Sequence, residues 1–446
     1  MTERSLPKPR NRTRLGGAEV AAIVVDLEVV TPILGGGTGT RVLDEVDVIR
    51  VPTLRGHLRF WWRALRGHEF DDPQSLYEAE SKLWGGAGGN TGLRSQVEVR
   101  VQVTRVGEVD QSDIDLQHTP GAYALWPARS QKEDSRRGRP YVPPAPRRKP
   151  GTRFRLTLTA PVDRETEVRN ALRAWILFGG YGGRTRRGLG SLTVVANRED
   201  WLPGKPDRNG LKDCFGRDIF AVSERSPCDT AWLAGASLLV GSSANAAESA
   251  WTTALGRLKE FRQGIDGKKG SRAREPGTGK PKPDRPSISN WPEADKIWHL
   301  RAKRRAHPPR HNATPVWPRA GFGLPILGQF QTMDRSGGKR AYIEPGIFEL
   351  RWRDGGAEHD RLASPLIVKA LPLADGTFVP CALWLHRANP EGEVFLKGCY
   401  DSGAPFDLLV AKGDTAQFSA LADKATLREA FLDWLKAQQG ITEVIR

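Results

Sequence analysis

Cysteine is scarce in this chain of 446 residues, and its four cysteines (Cys214, Cys228, Cys381 and Cys399) stand far apart. They form no CxxC pair of the kind that builds zinc sites, and a disulfide framework needs a higher cysteine density. No apolar run is long enough to span a bilayer, and residues 1–17 lack the apolar stretch of a signal peptide. We therefore expect a flexible basic tail, a cytoplasmic protein with reduced thiols, and no membrane partner.

The usual phosphate cradles are also absent. A Walker loop needs Gly-Lys-Ser/Thr at the start of a helix. A dinucleotide fingerprint needs a strand before its glycines and a helix after them, whereas the segment "FGGYGGRTRRGLGSL" (178–192) follows a predicted helix and precedes a predicted strand. His307 and His311 have helical ligand spacing, but Pro308 and Pro309 between them break a helix. Since the carboxylates show no tight cluster for two metals, we expect no cofactor, no metal and no catalytic residue.

Basic residues are abundant by contrast. Lysine and arginine total 68 against 52 acidic residues, which gives a formal net charge of +16. Fourteen tryptophans and 38% hydrophobic residues indicate a folded chain. A surplus of this size favours a polyanionic partner, and nucleic acid before a membrane surface.

Hydrophobic periodicity predicts the order β-α-β-β-α-β for the first 200 residues. Alternation by two marks strands, and apolar positions at i, i+3, i+4 and i+7 mark helices. This order is that of a ferredoxin-like sheet, which RNA-recognition modules share. The predicted strands lie at 20–30, 96–106, 153–160 and 191–196, and the predicted helices at 52–67, within "LYEAESKLWG", and before Gly179.

The second half repeats the theme less cleanly, with an Asp375-Gly376 hairpin signal and a C-terminal amphipathic helix. We predict an α+β protein of two ferredoxin-like (RRM-like) domains, 1–200 and 201–446, with long basic loop insertions. The stretches 127–151 and 266–287 are rich in proline, glycine and charge. They are either solvated loops or basic arms that order on a nucleic-acid backbone.

The first predicted helix, "LRGHLRFWWRALR", carries an apolar face and an arginine face. No acidic residue lies between Leu54 and Arg66 to pair the arginines, so they suit phosphate contacts, and an exposed Trp62 could stack a base. The alternative is an ordinary surface helix with solvated arginines. The RNA-contact candidates here are Arg55, Arg59, Trp62, Arg63 and Arg66.

The glycine-rich segment 178–192 is the second candidate site. Glycines permit positive φ and close approach of a ligand, and arginines bind phosphate. We therefore expect a mobile basic loop against which an RNA backbone lies. Its candidate residues are Gly180, Tyr181, Gly182, Gly183, Arg184, Arg186 and Arg187.

These motifs resemble a known family. "TPILGGG" (31–37), "VPTLRGHLRFWWRALRG" (51–67) and the glycine-rich segment are similar to the N-terminal half of the first-named RAMP subunit of the type III-B CRISPR (Cmr) effector complex. "PRAGFGLPI" (318–326) and "RLASPLIVKAL" (361–371) resemble that family's later motifs. The glycine-rich segment marks RAMP proteins broadly, and its combination with "LRFWWRAL" is more specific.

The resemblance implies a non-catalytic, cytoplasmic subunit of a ribonucleoprotein that serves antiviral defence. It implies two ferredoxin-like domains at the crRNA 3′ end of a filament, where the subunit holds crRNA and engages target RNA beside the other RAMP subunits. It adds Arg361 and Lys369 as RNA contacts. Two alternatives stay open: a crRNA-processing endoribonuclease with His57 as its base, and a purely structural subunit whose basic surface serves proteins.

Overall fold

The computed structural model describes residues 19–37, 39–86, 92–133, 138–226, 228–264, 291–301, 316–328, 347–406 and 418–445. The predicted basic tail at 1–17, the stretch 266–287 and the His307–His311 pair lie outside these residues. None of the helices in the described ranges is both long and apolar enough to cross a membrane.

The first half contains the predicted series of strands and helices together with a few short extra pieces. Its elements are β1 (Val20–Val29), β2 (Ile33–Leu34), α1 (Val51–Arg66), α2 (Pro73–Trp84), β3 (Glu98–Arg105), β4 (Val109–Asp110), α3 (Ala122–Leu125), β5 (Arg147–Arg148), β6 (Thr152–Pro161), α4 (Glu165–Phe178) and β7 (Leu192–Val194).

The main sheet of this half is antiparallel and has the strand order β3-β6-β1-β7. Alternate side chains of β1, from Ile23 to Val29, are buried, so one sheet face forms core and the other meets solvent. β1 pairs with β6 from Val20 opposite Pro161 to Val29 opposite Thr152. The short strands form a separate sheet in the order β2-β5-β4, so part of the basic stretch 127–151 is paired structure.

The second half has more elements than the first. They are α5 (Arg208–Phe215), β8 (Trp232–Val240), α6 (Ala247–Arg262), α7 (Pro292–Arg301), β9 (Ile326–Gly328), β10 (Phe348–Asp354), β11 (Ala357–His359), β12 (Leu366–Pro372), β13 (Phe378–His386), β14 (Glu393–Leu396), β15 (Cys399–Pro405), α8 (Leu427–Lys436) and β16 (Thr442–Ile445).

Two sheets organise this half. The sheet β12-β13-β8-β16 is built from the series β8, α6, β12, β13, α8 and β16, and it has the same strand order as the main sheet of the first half. Between these elements the chain makes two excursions, before β12 and after β13. Their strands pair with one another as β11-β10-β14-β15, with β9 beside β10. We call this second sheet the insertion sheet.

The sheet that contains β12 packs against helices of both halves of the chain. All seven residues of β12 are buried, because its sheet is covered on both faces, by α1 and α4 of the first half and by α6 and α8 of its own. A strand covered on both faces reads as a nearly continuous apolar run, here "LIVKALP" with Lys369 as its one charged residue. The two halves are therefore joined by a continuous hydrophobic core.

Candidate nucleic-acid interface

The glycine-rich segment forms a compact turn, which we call the Gly-rich loop (179–191). The helix before it, α4, ends at Phe178 as predicted, with Gly179 at its end. The Tyr181 amide donates to the Gly190 carbonyl at 2.9 Å, and the Gly183 amide donates to the Leu34 carbonyl at 2.6 Å. These amides are already used within the protein, so they are not free to clasp phosphates.

Packing explains the glycines of the loop. Gly190 has φ +64°, and a Cβ there would stand 1.8 Å from the Tyr181 carbonyl oxygen. A Cβ on Gly180 would stand 2.9 Å from the Gly190 carbonyl oxygen. Since both positions lie in closely packed backbone, their glycines serve the turn itself and not the approach of a ligand.

The three arginines of the loop differ in their surroundings. Arg184 is exposed at φ +59°. Arg186 donates to the Ser364 carbonyl, and Arg187 donates to the Leu366 carbonyl at 3.1 Å. Burial lowers the pKa of Arg186 to about 10 and that of Arg187 to about 9, so both remain cations at neutral pH. They fasten the loop to the start of β12 while keeping their charge.

More positive charge gathers at the loop from the second half of the chain. Desolvation is the main cause of the lowered pKa of Arg184, as it is for Arg186 and Arg187. Repulsion adds to it, from Arg262 at the end of α6 on Arg184 and Arg187, and from Arg387 after β13 on Arg186. Among the described residues, none of these arginines forms an ion pair with a carboxylate. We call the group the loop cation cluster: Arg184, Arg186, Arg187, Arg262 and Arg387.

Sequence reasoning missed two members of this cluster. Arg262 and Arg387 lie far from the Gly-rich loop along the chain, and neither stands in a recognisable motif. Only the packing of the second half against the first brings them to the loop, so a single sequence held no signal for them.

The arginine face of α1 is not free of acidic partners, as the sequence suggested. Arg59 and Arg63 both contact Glu80 of α2 at 2.5 Å. Arg66 pairs with Glu69 and with Glu167 of α4. The prediction of an unneutralised row is therefore wrong, because the carboxylates come from neighbouring elements.

Arg55, the remaining arginine of that face, has no ion pair within 4 Å in the described structure. Its guanidinium donates to Ser95 Oγ at 3.0 Å and to the Val97 carbonyl at 3.1 Å. Burial lowers its pKa. Arg55 thus ties α1 to the chain that leads into β3.

Trp62 is buried, with 1% of its surface exposed, and its indole N–H donates to Glu167. The prediction of an exposed Trp62 is wrong, because this ring lies between α1 and α4, where it also packs near Phe70. A base could not stack on it without opening the core.

The two RNA-contact candidates from the motif "RLASPLIVKAL", Arg361 and Lys369, lie in different surroundings. Lys369 is fully buried in β12, and its ammonium donates to the carbonyls of Ile176 at 3.1 Å and Gly179 at 2.8 Å. Its prediction as an RNA contact is wrong, because it caps the end of α4 inside the interface between the halves. Arg361 is exposed and follows β11 of the insertion sheet.

His57 is half-buried, and its ring lies parallel to Trp175 with centroids 5.9 Å apart. Burial lowers its pKa to about 4, so the imidazole is neutral at pH 7. It contacts no carboxylate among the described residues that could orient it as a general base. In the same ranges, no group of three or more His, Cys, Asp or Glu side chains could hold a metal ion.

Among the described residues, the solvent-facing side of the main sheet offers no aromatic platform. RNA-recognition modules stack bases on aromatic residues at such a face. Here the arginines of β6 pair across to acids of β1, Arg155 with Asp26 and Arg153 with Glu28. The outward positions of β1, β6 and β3 are Ala22, Val24, Asp26, Glu28, Arg153, Arg155, Thr157, Thr159, Glu98, Arg100 and Gln102.

Comparison with known proteins shows which class this part of the chain resembles. Residues 26–193, which carry α1, the main sheet and the Gly-rich loop, match the RAMP superfamily. This part of the chain is similar to RAMP proteins.

Particular relatives come from the Cmr system of Pyrococcus furiosus. The chain is 30% identical over 164 residues to CRISPR system Cmr subunit Cmr1-1, a match that covers 35% of this chain and 45% of that protein. It is 29% identical over 197 residues to Cmr subunit Cmr1-2, covering 40% of this chain and 96% of the relative. The crystal structure of apo Cmr1 from P. furiosus aligns over 96% of this chain and 99% of its own, with 18% identity and a TM-score of 0.48. The predicted resemblance to a Cmr RAMP subunit is confirmed, and the chain spans less than half the length of the first of these relatives.

Proposed function

We propose that this chain is a non-catalytic RNA-binding RAMP subunit of a type III-B CRISPR (Cmr) ribonucleoprotein. In this proposal it lies at the crRNA 3′ end beside other RAMP subunits, holds crRNA and helps to capture target RNA. The matches to Cmr subunits and to the RAMP superfamily support the class. The strand order shared by the sheets of the two halves supports two ferredoxin-like domains, with boundaries near those predicted at 1–200 and 201–446.

The loop cation cluster is the observation that carries the RNA-binding proposal. Several arginines elsewhere on the described surface are paired, for example Arg155 with Asp26 and Arg208 with Asp218. The cluster instead gathers cations without a paired carboxylate in the described structure, and like charges held together repel one another. An RNA backbone would neutralise them, and arginine is well suited to phosphate. Arg184, which is an exposed residue, is the first contact we assign.

The surroundings of His57 favour binding over cleavage. Cleavage through the 2′-hydroxyl needs a base and an acid placed around one phosphate, and His57 has no such partner among the described residues. We therefore propose that RNA bound by the chain stays intact.

The test is a salt titration of labelled single-stranded RNA by fluorescence anisotropy. Arg184→Gln with Arg262→Gln should weaken binding and lower the slope of log K against log salt by about 0.7 for each phosphate that the variant no longer neutralises. The matched control, Arg155→Gln with Arg208→Gln, changes the net charge equally but removes arginines already paired to Asp26 and Asp218. Its slope should match that of the wild type.

The other outcomes distinguish the alternatives. Equal slopes for the two double variants would contradict a role for the loop cation cluster. Defined fragments on a gel would favour the endoribonuclease. If the wild type bound no RNA at moderate salt, the basic surface would be assigned to protein contacts.

A further inference from the structure

A cavity of about 240 Å³ lies beside the Gly-rich loop. Its walls come from α1, from the end of α4, from the loop and from β12. Four of its nine lining residues carry an aromatic ring, and Arg186 of the loop cation cluster stands at one side. The lining side chains used below are His57, Phe60, Trp61, Phe178, Arg186 and Ile367. We call this cavity the His57 pocket.

A polar atom at the His57 pocket lacks a hydrogen-bond partner. His57 Nε2 is buried and contacts no donor or acceptor in the described structure. Buried polar groups are almost always paired with protein, water or ligand, so this atom points to an occupant. The indole nitrogen of Trp61, a second polar group of the lining, lies close to Gly179.

Neighbouring aromatic rings hold the His57 ring in place, while its Nε2 makes no hydrogen bond in the described structure. It lies parallel to Trp175 at 5.9 Å, and the edge of Tyr181 approaches it at 6.3 Å between centroids. Burial lowers its pKa to about 4, so a neutral imidazole offers one donor and one acceptor. A fixed, neutral group of this kind suits a polar edge of an uncharged ligand.

The size of the His57 pocket and the residues of its walls limit the kinds of ligand that it can accept. Aromatic walls favour a flat ring, and the volume is below the roughly 300–1,000 Å³ of sites for whole drug-sized ligands. Arg186 lies over the Phe60 ring at 5.6 Å. Because Arg186 lines the pocket and belongs to the loop cation cluster, a phosphate at the cluster would bring its own base to the opening.

We propose that the His57 pocket receives a single unstacked nucleobase of the RNA whose backbone lies on the loop cation cluster. The base inserts between the aromatic walls, and its polar edge meets His57 and the Trp61 N–H. This proposal rests on the proposed RNA-binding function and adds base recognition to it. It gives the site a contact that phosphates alone do not supply.

The test combines a protein variant with a change in the RNA. The probes are a short single-stranded RNA containing 2-aminopurine and an abasic oligonucleotide of equal length, which keeps every phosphate and lacks the bases. His57→Phe keeps a ring beside Trp175 and removes both nitrogens. We expect it to bind the base-containing RNA about 3- to 10-fold more weakly, the effect of one net hydrogen bond, and to bind the abasic chain as the wild type does.

A control and a second measurement keep the test decisive. His118→Phe alters an exposed histidine outside the pocket, with 79% of its side chain exposed, and should leave both affinities unchanged. The second measurement uses the wild type alone. Its binding should lower 2-aminopurine fluorescence, and it should bind the abasic chain more weakly than the base-containing RNA. This measurement does not depend on whether His57→Phe folds.

The two proposals fail in different ways. In one outcome, binding is salt-sensitive, the base-containing and abasic chains bind equally well, and His57→Phe binds like the wild type. That result would overturn base recognition by the His57 pocket and leave the phosphate-binding function standing. The absence of any RNA binding by the wild type would overturn both. An equal loss of affinity by His57→Phe for both oligonucleotides would also overturn base recognition, since it would show a general effect on the loop.

Discussion

Replacing Gly190 with alanine is expected to lower the free energy of unfolding by about 2–5 kcal/mol. The left-handed backbone at φ +64° costs a residue with a Cβ about 1–2 kcal/mol. The new Cβ would also stand 1.8 Å from the Tyr181 carbonyl oxygen, and overpacking adds about 1–3 kcal/mol. Urea denaturation followed by circular dichroism measures the change.

Gly216 provides the matched control for this prediction. It has nearly the same backbone conformation, φ +69°, but a Cβ there would meet nothing within 4 Å. Gly216→Ala should therefore show only the backbone cost of about 1–2 kcal/mol. Equal losses of stability for the two variants would contradict the close packing of the Gly-rich loop.

Replacing Lys369 with methionine is expected to destabilise the protein by about 2–3 kcal/mol near pH 9. The substitution keeps an apolar stem of similar length but leaves the carbonyls of Ile176 and Gly179 without their donor. Hydrogen bonds and buried acceptors of this kind are worth about 1–3 kcal/mol each. Chemical denaturation of both proteins at several pH values measures the difference.

The same comparison should depend on pH in a definite direction. Burial lowers the pKa of folded Lys369 to about 7 from an ordinary value of 10.5. Between these values the unfolded chain binds a proton that the folded chain releases, so stability rises with pH, by at most about 1.4 kcal/mol per unit. The advantage of the wild type over Lys369→Met should therefore grow from pH 7 to pH 10 and stay constant below pH 7.

An exposed lysine serves as the control for the pH dependence. Lys149 pairs with Glu108 at the surface, and that contact raises its pKa. Lys149→Met should show no change relative to the wild type between pH 7 and pH 10. A Lys369 difference that stayed flat or fell over this range would mean that its ammonium keeps its proton inside the interface.

Periodicity in the sequence predicted most of the local structure. The alternating segment at 153–160 is β6, the amphipathic segment before Gly179 is α4, and the Asp375-Gly376 signal lies between β12 and β13. The insertion sheet was not predicted as a separate unit. Its strands β10 and β14 come from different excursions of the chain, and local patterns do not reveal such distant pairing.

The candidate site was harder to predict than the fold, because charge pairing is a tertiary property. An acid-free stretch around Arg59 and Arg63 indicated free cations, yet Glu80 arrives from α2. Conversely, Arg262 joins the Gly-rich loop from the second half of the chain. Lys369 looked like a basic residue in a binding motif, although its side chain is buried and its Nζ donates to the carbonyls of Ile176 and Gly179, which satisfies a polar group inside the core.

The insertion sheet enters and leaves the second half through a hairpin whose strand ends lie side by side, with Leu366 opposite Trp384. Arg186 and Arg187 donate to the same stretch of chain, at the carbonyls of Ser364, just before β12, and Leu366, its first residue. The backbone that connects the insertion sheet to β12 therefore also anchors the Gly-rich loop, so a few residues of continuous chain join the two.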